Sequence, residues 1–248
     1  MATPIVKKRK IMGPHPTNDF PPGFEVRFAE QIACMYATRQ PLRFTGDDWE
    51  DVFAKCIGGE SPHAKVGLDD VVWRNFSWSC KTVASKSKKF AQLKNVRLIS
   101  GRNSISYSFG NSKVLKGRAS NVGKQVLEIW NRRLSDTAKA YGGMTPRCVV
   151  LVRNSDCTEF LLFEKELQYY DPTKYHFTRN KSGNIEGYEK QGKKLIHKFT
   201  WQHSGSQFTI IEDIPLTRLH IKVKRPPRID QASILQAIGF DKGWVELV

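Results

Sequence analysis

The sequence predicts a mixed α/β domain that continues into a β-rich extension. Three observations carry that prediction. Two segments, about 47–57 and 121–141, repeat apolar residues at helical spacing. Short runs of β-formers at 68–73, 76–83, 96–100, 148–152 and 160–163 lie between and after them. The last third alternates polar and apolar residues, at Tyr188, Leu195 to Trp201, Phe208 to Ile211 and Leu219 to Val223.

Residues 1–22 are rich in Pro and Lys and read as a flexible basic arm. Lys7, Lys8, Arg9 and Lys10 form a run suited to a nuclear address or to resting on phosphates. Pro14 and Pro16 follow it in place of an apolar stretch, so no signal peptide is expected. Residues 23–248 read as one domain, with a core over about 45–153 and the β-rich extension over about 154–248. Phe28, Ile32, Cys34 and Met35 give 24–37 a helical period. Thr45 is placed to cap the helix of Trp49, Val52, Phe53 and Ile57, and Gly58-Gly59 to end it.

A hairpin is expected from 68–73 and 76–83, with Arg74 to Ser77 as its loop. Then come a basic stretch from Lys86 to Lys94 and a strand at 96–100. The segment 101–118, full of Ser, Asn and Gly, reads as a long polar loop. Val122, Val126, Ile129, Trp130 and Leu134 line one face of the helix that Gly142-Gly143 stops. The final helix is expected at about 230–238, after Pro226-Pro227.

The charge is out of the ordinary. Forty Lys and Arg stand against 24 Asp and Glu, a net +16. Self-repulsion of that size opposes compaction unless a polyanion neutralises it, so nucleic acid is the expected partner. A basic surface with no such partner is the plainer alternative. No apolar run approaches the roughly 18 residues of a membrane span, so no membrane partner is expected. Fourteen Phe and six Trp exclude a disordered basic tail.

The five cysteines, Cys34, Cys56, Cys80, Cys148 and Cys157, are widely spaced. With the histidines they complete no zinc pattern. They read as reduced, partly buried thiols in a cytoplasmic protein. No phosphate-binding glycine loop, dinucleotide fingerprint, nucleophile elbow or zinc-deaminase pattern occurs, so no nucleotide cofactor is expected.

The chemistry concentrates in the stretch from Leu68 to Thr82. With Trp73 opposite Trp78, Asp70 falls opposite Lys81, and Ser79 shares their face. The plain reading is a cross-strand ion pair of modest value. The functional one is a phosphodiesterase centre, in which the Asp holds Mg²⁺ and the Lys steadies hydroxide or developing charge.

The order of helix, Asp-bearing strand, strand with x-x-Lys, helix and strand resembles the core of the PD-(D/E)XK nuclease superfamily, to which many type II restriction endonucleases belong. The resemblance covers about 45–153, with Asp70 at the first acid and Lys81 at the lysine. Asp69 stands where the motif often has Pro, and Ser79 where it has its second acid. The resemblance implies a restriction-endonuclease-like core, a central mixed sheet flanked by helices. It also implies that the missing carboxylate comes from elsewhere: Glu128 on the following helix first, Glu50 on the upstream helix second. Catalytic candidates are therefore Asp70, Lys81, Glu128 and Glu50, and metal candidates are Asp70, Glu128 and Glu50.

For DNA contacts the candidates are Arg97, Arg102, Asn103 and Ser104, because Arg forks onto guanine and Asn onto adenine. Lys86, Lys88 and Lys89 are expected on the backbone phosphates. His203, in a β segment, is left out of the chemistry. The expected function is Mg²⁺-dependent, sequence-specific cleavage of double-stranded DNA, of the restriction-modification type, by a homodimer whose two sites each cut one strand. The alternative is a nucleic-acid-binding protein with a degenerate nuclease core and no catalysis. A third reading, an RNA-binding protein of translation, suits the charge but not the Trp content.

Overall fold

The computed structural model describes residues 15–39, 43–62, 68–110 and 112–246. The basic run from Lys7 to Lys10 lies outside them. In chain order the elements are α1 (Phe24–Thr38), α2 (Gly46–Ile57), β1 (Val71–Trp73), β2 (Phe76–Ser85), β3 (Asn95–Arg102), α3 (Ile105–Phe109), α4 (Ala119–Ala140), β4 (Arg147–Asn154), β5 (Glu159–Glu166), β6 (Tyr175–Arg179), β7 (Ile185–Gln191), β8 (Lys194–Gln202), β9 (Gln207–Asp213), β10 (Leu219–Lys222) and α5 (Gln231–Ala237).

Local chemistry sets the helix ends where the sequence does. Thr45 and Asp48 cap α2 reciprocally. The Asp48 amide donates to the Thr45 hydroxyl at 3.2 Å, and the Thr45 amide donates to the Asp48 carboxylate at 2.8 Å. Gly58, with φ +70°, supplies the left-handed residue that ends α2.

The strands form two five-stranded sheets. The first has the order β1-β2-β4-β5-β10, and the second β3-β9-β8-β7-β6. In the first, β2 and β4 run parallel, with Ser79 beside Cys148 and Lys81 beside Val150. Parallel neighbours need a long crossover, and here it contains β3, α3 and α4. The second sheet is antiparallel throughout. The core and extension expected on either side of residue 153 interleave: β3 joins the second sheet, while β5 and β10 join the first.

One core packs α1 and α2 onto the first sheet through Phe24, Phe28, Trp49, Phe53, Trp78, Val149 and Leu151. The sheet's opposite face, with Val150, Val152, Leu161 and Phe163, meets Val96, Leu98 and Ile214. A third core sets α4 against the second sheet through Val126, Leu127, Trp130, Phe199, Trp201 and Phe208. A Cβ on Gly123 would stand 2.2 Å from the Phe177 ring, so α4 lies against β6 with no room for a side chain there.

Three expectations are corrected. The hairpin turns in two residues, with Trp73 paired to Phe76 and Val71 to Trp78. Arg74 takes φ +54° to make that turn. The register continues to put Asp70 opposite Ser79, two residues short of Lys81. A two-residue slip keeps the same side chains on the same face, so the shared face of Asp70, Ser79 and Lys81 survives.

The expected loop over 101–118 carries structure. β3 runs on to Arg102, α3 follows, and a 3₁₀ turn spans Ser112–Lys116. Ile105, Phe109, Val114 and Leu115 hold it against the α4 core. The expected flexible arm is docked at its inner end. The His15 ring and the Asn18 amide both hydrogen-bond to the Glu164 carboxylate, at 3.1 and 3.2 Å.

Candidate active site

Asp70 lies just ahead of β1, and its Oδ2 collects three donors. Ser79 Oγ donates at 3.1 Å, the Cys80 amide at 2.7 Å and Lys81 Nζ at 3.0 Å. Lys81 Nζ also donates to the Cys80 carbonyl at 2.9 Å. Both charged side chains keep 20% of their surface exposed, so the pair sits at a wet edge of the sheet.

The segment carrying Asp70 is fastened from the other side by α4. The Leu68 amide donates to the Thr137 hydroxyl at 3.3 Å, and the Tyr141 hydroxyl to Asp69 at 2.8 Å. The crossover helix therefore fixes the acid that the hairpin presents.

Burial is the largest single influence and works against the Lys81 charge, but Asp70, with Cys148 and Cys80 behind it, turns the balance, and the lysine pKa rises above its ordinary 10.5. Lys81 is an ammonium at neutral pH. Burial pushes the Cys148 thiol to about 12 and the Cys80 thiol well above 9.0. Both flank the pair as neutral thiols and not as thiolates.

The two candidate second acids sit on different elements, α4 and α2. Glu128 is exposed on α4, in a cleft of about 660 Å³ that it lines with Ser108, Phe109, Gln125, Arg132 and Asp136. It stands nine residues before Thr137, or about 13 Å along the helix axis from the point where α4 meets the Asp70 segment. Glu50 belongs to α2, which packs on the Trp78 side of the first sheet, the face opposite Ser79 and Lys81. Its charge is felt at the Cys80 thiol, behind burial, Asp70 and Lys81. Among the described residues no three His, Cys, Asp or Glu side chains gather around one point.

Mg²⁺ takes about six oxygens and usually one or two protein carboxylates. Here Asp70 supplies one carboxylate, and the oxygen facing Lys81 already accepts three hydrogen bonds. Among the described residues no group of three or more His, Cys, Asp or Glu side chains completes that shell.

The DNA-contact candidates divide. Arg97 and Arg102 are exposed on β3, and Lys86, Lys88 and Lys89 are exposed just beyond the end of β2. Ser104 is half-buried ahead of α3. Asn103 is 1% exposed, and its amide and carbonyl atoms have no hydrogen-bond partner among the described residues. Its backbone carbonyl accepts from Trp201 Nε1 at 3.0 Å. At 1% exposure the Asn103 side chain offers no surface to a base edge in this structure.

Sequence reasoning missed the Glu164 network on the same sheet. Glu164, 1% exposed, accepts from Trp78 Nε1 at 2.7 Å and from Arg147 Nη1 at 3.3 Å, besides His15 and Asn18. The sequence offers little cue, because Glu164 ends the apolar run Phe160 to Phe163 and begins the charged stretch Glu164-Lys165-Glu166, which reads as solvated although a buried Glu is costly unless paired. Its partners come from three distant segments, so spacing in the sequence did not reveal them.

Comparison with protein-family models, with curated proteins and with solved structures finds no match.

Proposed function

We propose that this chain is a DNA endonuclease of the restriction type that hydrolyses phosphodiester bonds at the Asp70–Lys81 centre. The observation that carries the reading is the placement of Lys81. A charged ammonium is held by Asp70 at the wet edge of a strand parallel to β4, fixed by the crossover helix. In this reading Lys81 meets a phosphate oxygen and stabilises the charge that develops on it in the transition state. Asp70 orients Lys81 and keeps it charged. The exposed Arg97, Arg102, Lys86, Lys88 and Lys89 contact DNA around it, and the net charge of +16 supports a polyanionic substrate. The magnesium requirement rests on the resemblance alone, and no step here is routed through the ion.

A second reading, a DNA-binding protein with a degenerate centre, is favoured by one observation. Ser79 stands where an acid is wanted, and its hydroxyl closes onto Asp70. The two readings separate on one experiment. Phage-sized duplex DNA is incubated with the protein, with and without Mg²⁺. Discrete fragments support the nuclease. Retarded but intact DNA at every metal concentration supports the binding protein and removes the nuclease reading.

A further inference from the structure

From Lys224 to Glu246 no residue is buried, yet the segment is ordered within itself. Asp230 caps α5, accepting from the Ser233 amide at 2.9 Å. Phe240 and Trp244 meet edge to face with ring centroids 5.4 Å apart. The segment touches the body through the Ile229 amide, which donates to the Ala37 carbonyl at 3.2 Å, and through Arg225, which donates to the Asp156 carbonyl at 3.3 Å. Its large apolar side chains are left in water: Ile229 is 49% exposed, Ile238 55%, Phe240 43%, and Trp244 and Val245 62% each. Scattered exposed apolar residues are ordinary, but five within 17 residues concentrate apolar surface on one short segment, and a cover on that segment would take it out of water.

The charge of the segment says what kind of cover fits. Residues 229–248 hold Asp230, Asp241 and Glu246 against Lys242, a net −2, so the rest of the chain carries +18. Nucleic acid and anionic membranes repel such a segment. A second copy of this chain offers it a strongly basic body.

We propose that residues 229–246 form a self-association arm, each arm lying against the body of the other copy. Exchange of two arms closes a pair without leaving a sticky end. Eighteen residues given and a comparable surface covered on each side approach the roughly 20–30 residues a side of a standard interface. This inference stands apart from the nuclease reading, because it needs only the arm's exposure and charge.

Light scattering on the full chain, without nucleic acid and from about 1 to 100 µM, tests it. The expected mass is twice 28.3 kDa. The double substitution Ile238→Asp with Trp244→Asp should weaken the pair by on the order of 30-fold or more, with an unchanged far-UV circular dichroism spectrum because both residues are exposed. Glu246→Lys should weaken it several-fold through charge, and Lys242→Glu should tighten it. A wild-type mass of 28.3 kDa at 100 µM overturns the proposal, as does a pair indifferent to these substitutions. Loss of DNA binding in the double variant at unchanged mass also overturns it and assigns the arm to nucleic acid.

Discussion

The two sheets solve the same packing problem in opposite ways. β4 is buried on both faces over most of its length, and its centre, Cys148 to Val152, is an unbroken apolar run. β3 alternates, with Val96, Leu98 and Ser100 inside and Arg97 and Ile99 outside. A parallel strand between helices and a second sheet has no wet face, whereas a meander strand has one. The difference places the chemistry. The first sheet excludes water from most of its length, so a charged pair at its edge acts in a less screened setting. The second sheet leaves alternate residues of β3 in water.

The strongest test of that contrast removes the charge that the first sheet buries. Glu164→Ala leaves Arg147 buried without its carboxylate partner and should cost about 3–5 kcal/mol, read by denaturant unfolding. Leu151→Ala, in the centre of the same sheet, should cost about 2–5 kcal/mol. Ile99→Ala on the outer face of β3 should stay within about 0.5 kcal/mol, because Ile99 is 51% exposed. Equal losses at Leu151 and Ile99 would erase the distinction between the sheets.

Gly123→Ala sharpens it from the helix side. The added methyl meets Phe177, and α4 must lift from β6 at about 1–3 kcal/mol. Since α4 also holds the Asp70 segment, the accompanying change should be a weaker Tyr141–Asp69 contact, visible as a downward move of the Tyr141 hydroxyl titration from about 12.

The sheets should also part at alkaline pH. The Cys56, Cys80 and Cys148 thiols and the Lys81 ammonium all hold their protons more tightly when folded than when unfolded. The stability they contribute is whole below the ordinary thiol value of 9.0 and is lost as pH climbs from there toward 12. Three of these groups lie on β2 and β4. Amide exchange in those strands should quicken between pH 9 and 10 before that in β8 and β9. Simultaneous quickening in both sheets would contradict the assignment.

Much of this contrast was legible in the sequence. Continuous and alternating apolar patterns are local, and they placed α1, α2, α4, β4 and the meander close to where they fold. The face shared by Asp70, Ser79 and Lys81 was also legible, since it depends only on parity along the hairpin. What was not legible depends on distance in the chain. Asn103 reads as a polar loop residue, yet it is buried, with its backbone carbonyl bonded to Trp201, ninety-eight positions away. Glu128 sits at a plausible spacing, but a helix axis sets its reach, and the Asp70 segment meets α4 about two and a half turns further on. The strand exchange between core and extension rests on pairing that no local period encodes.

The central claim is that Asp70 and Lys81 form a working centre and not a plain ion pair. It is tested most directly by cleavage of long duplex DNA with wild-type protein and the near-isosteric Asp70→Asn, beside a binding assay and a melting curve for each. The wild type should yield discrete fragments. The variant should show at least a hundredfold loss of cleavage, with DNA affinity within about threefold and the fold intact, because Asn keeps the shape but not the charge that holds Lys81. Cleavage by Asp70→Asn at the wild-type rate would contradict the claim and leave the pair as a structural contact between two strands.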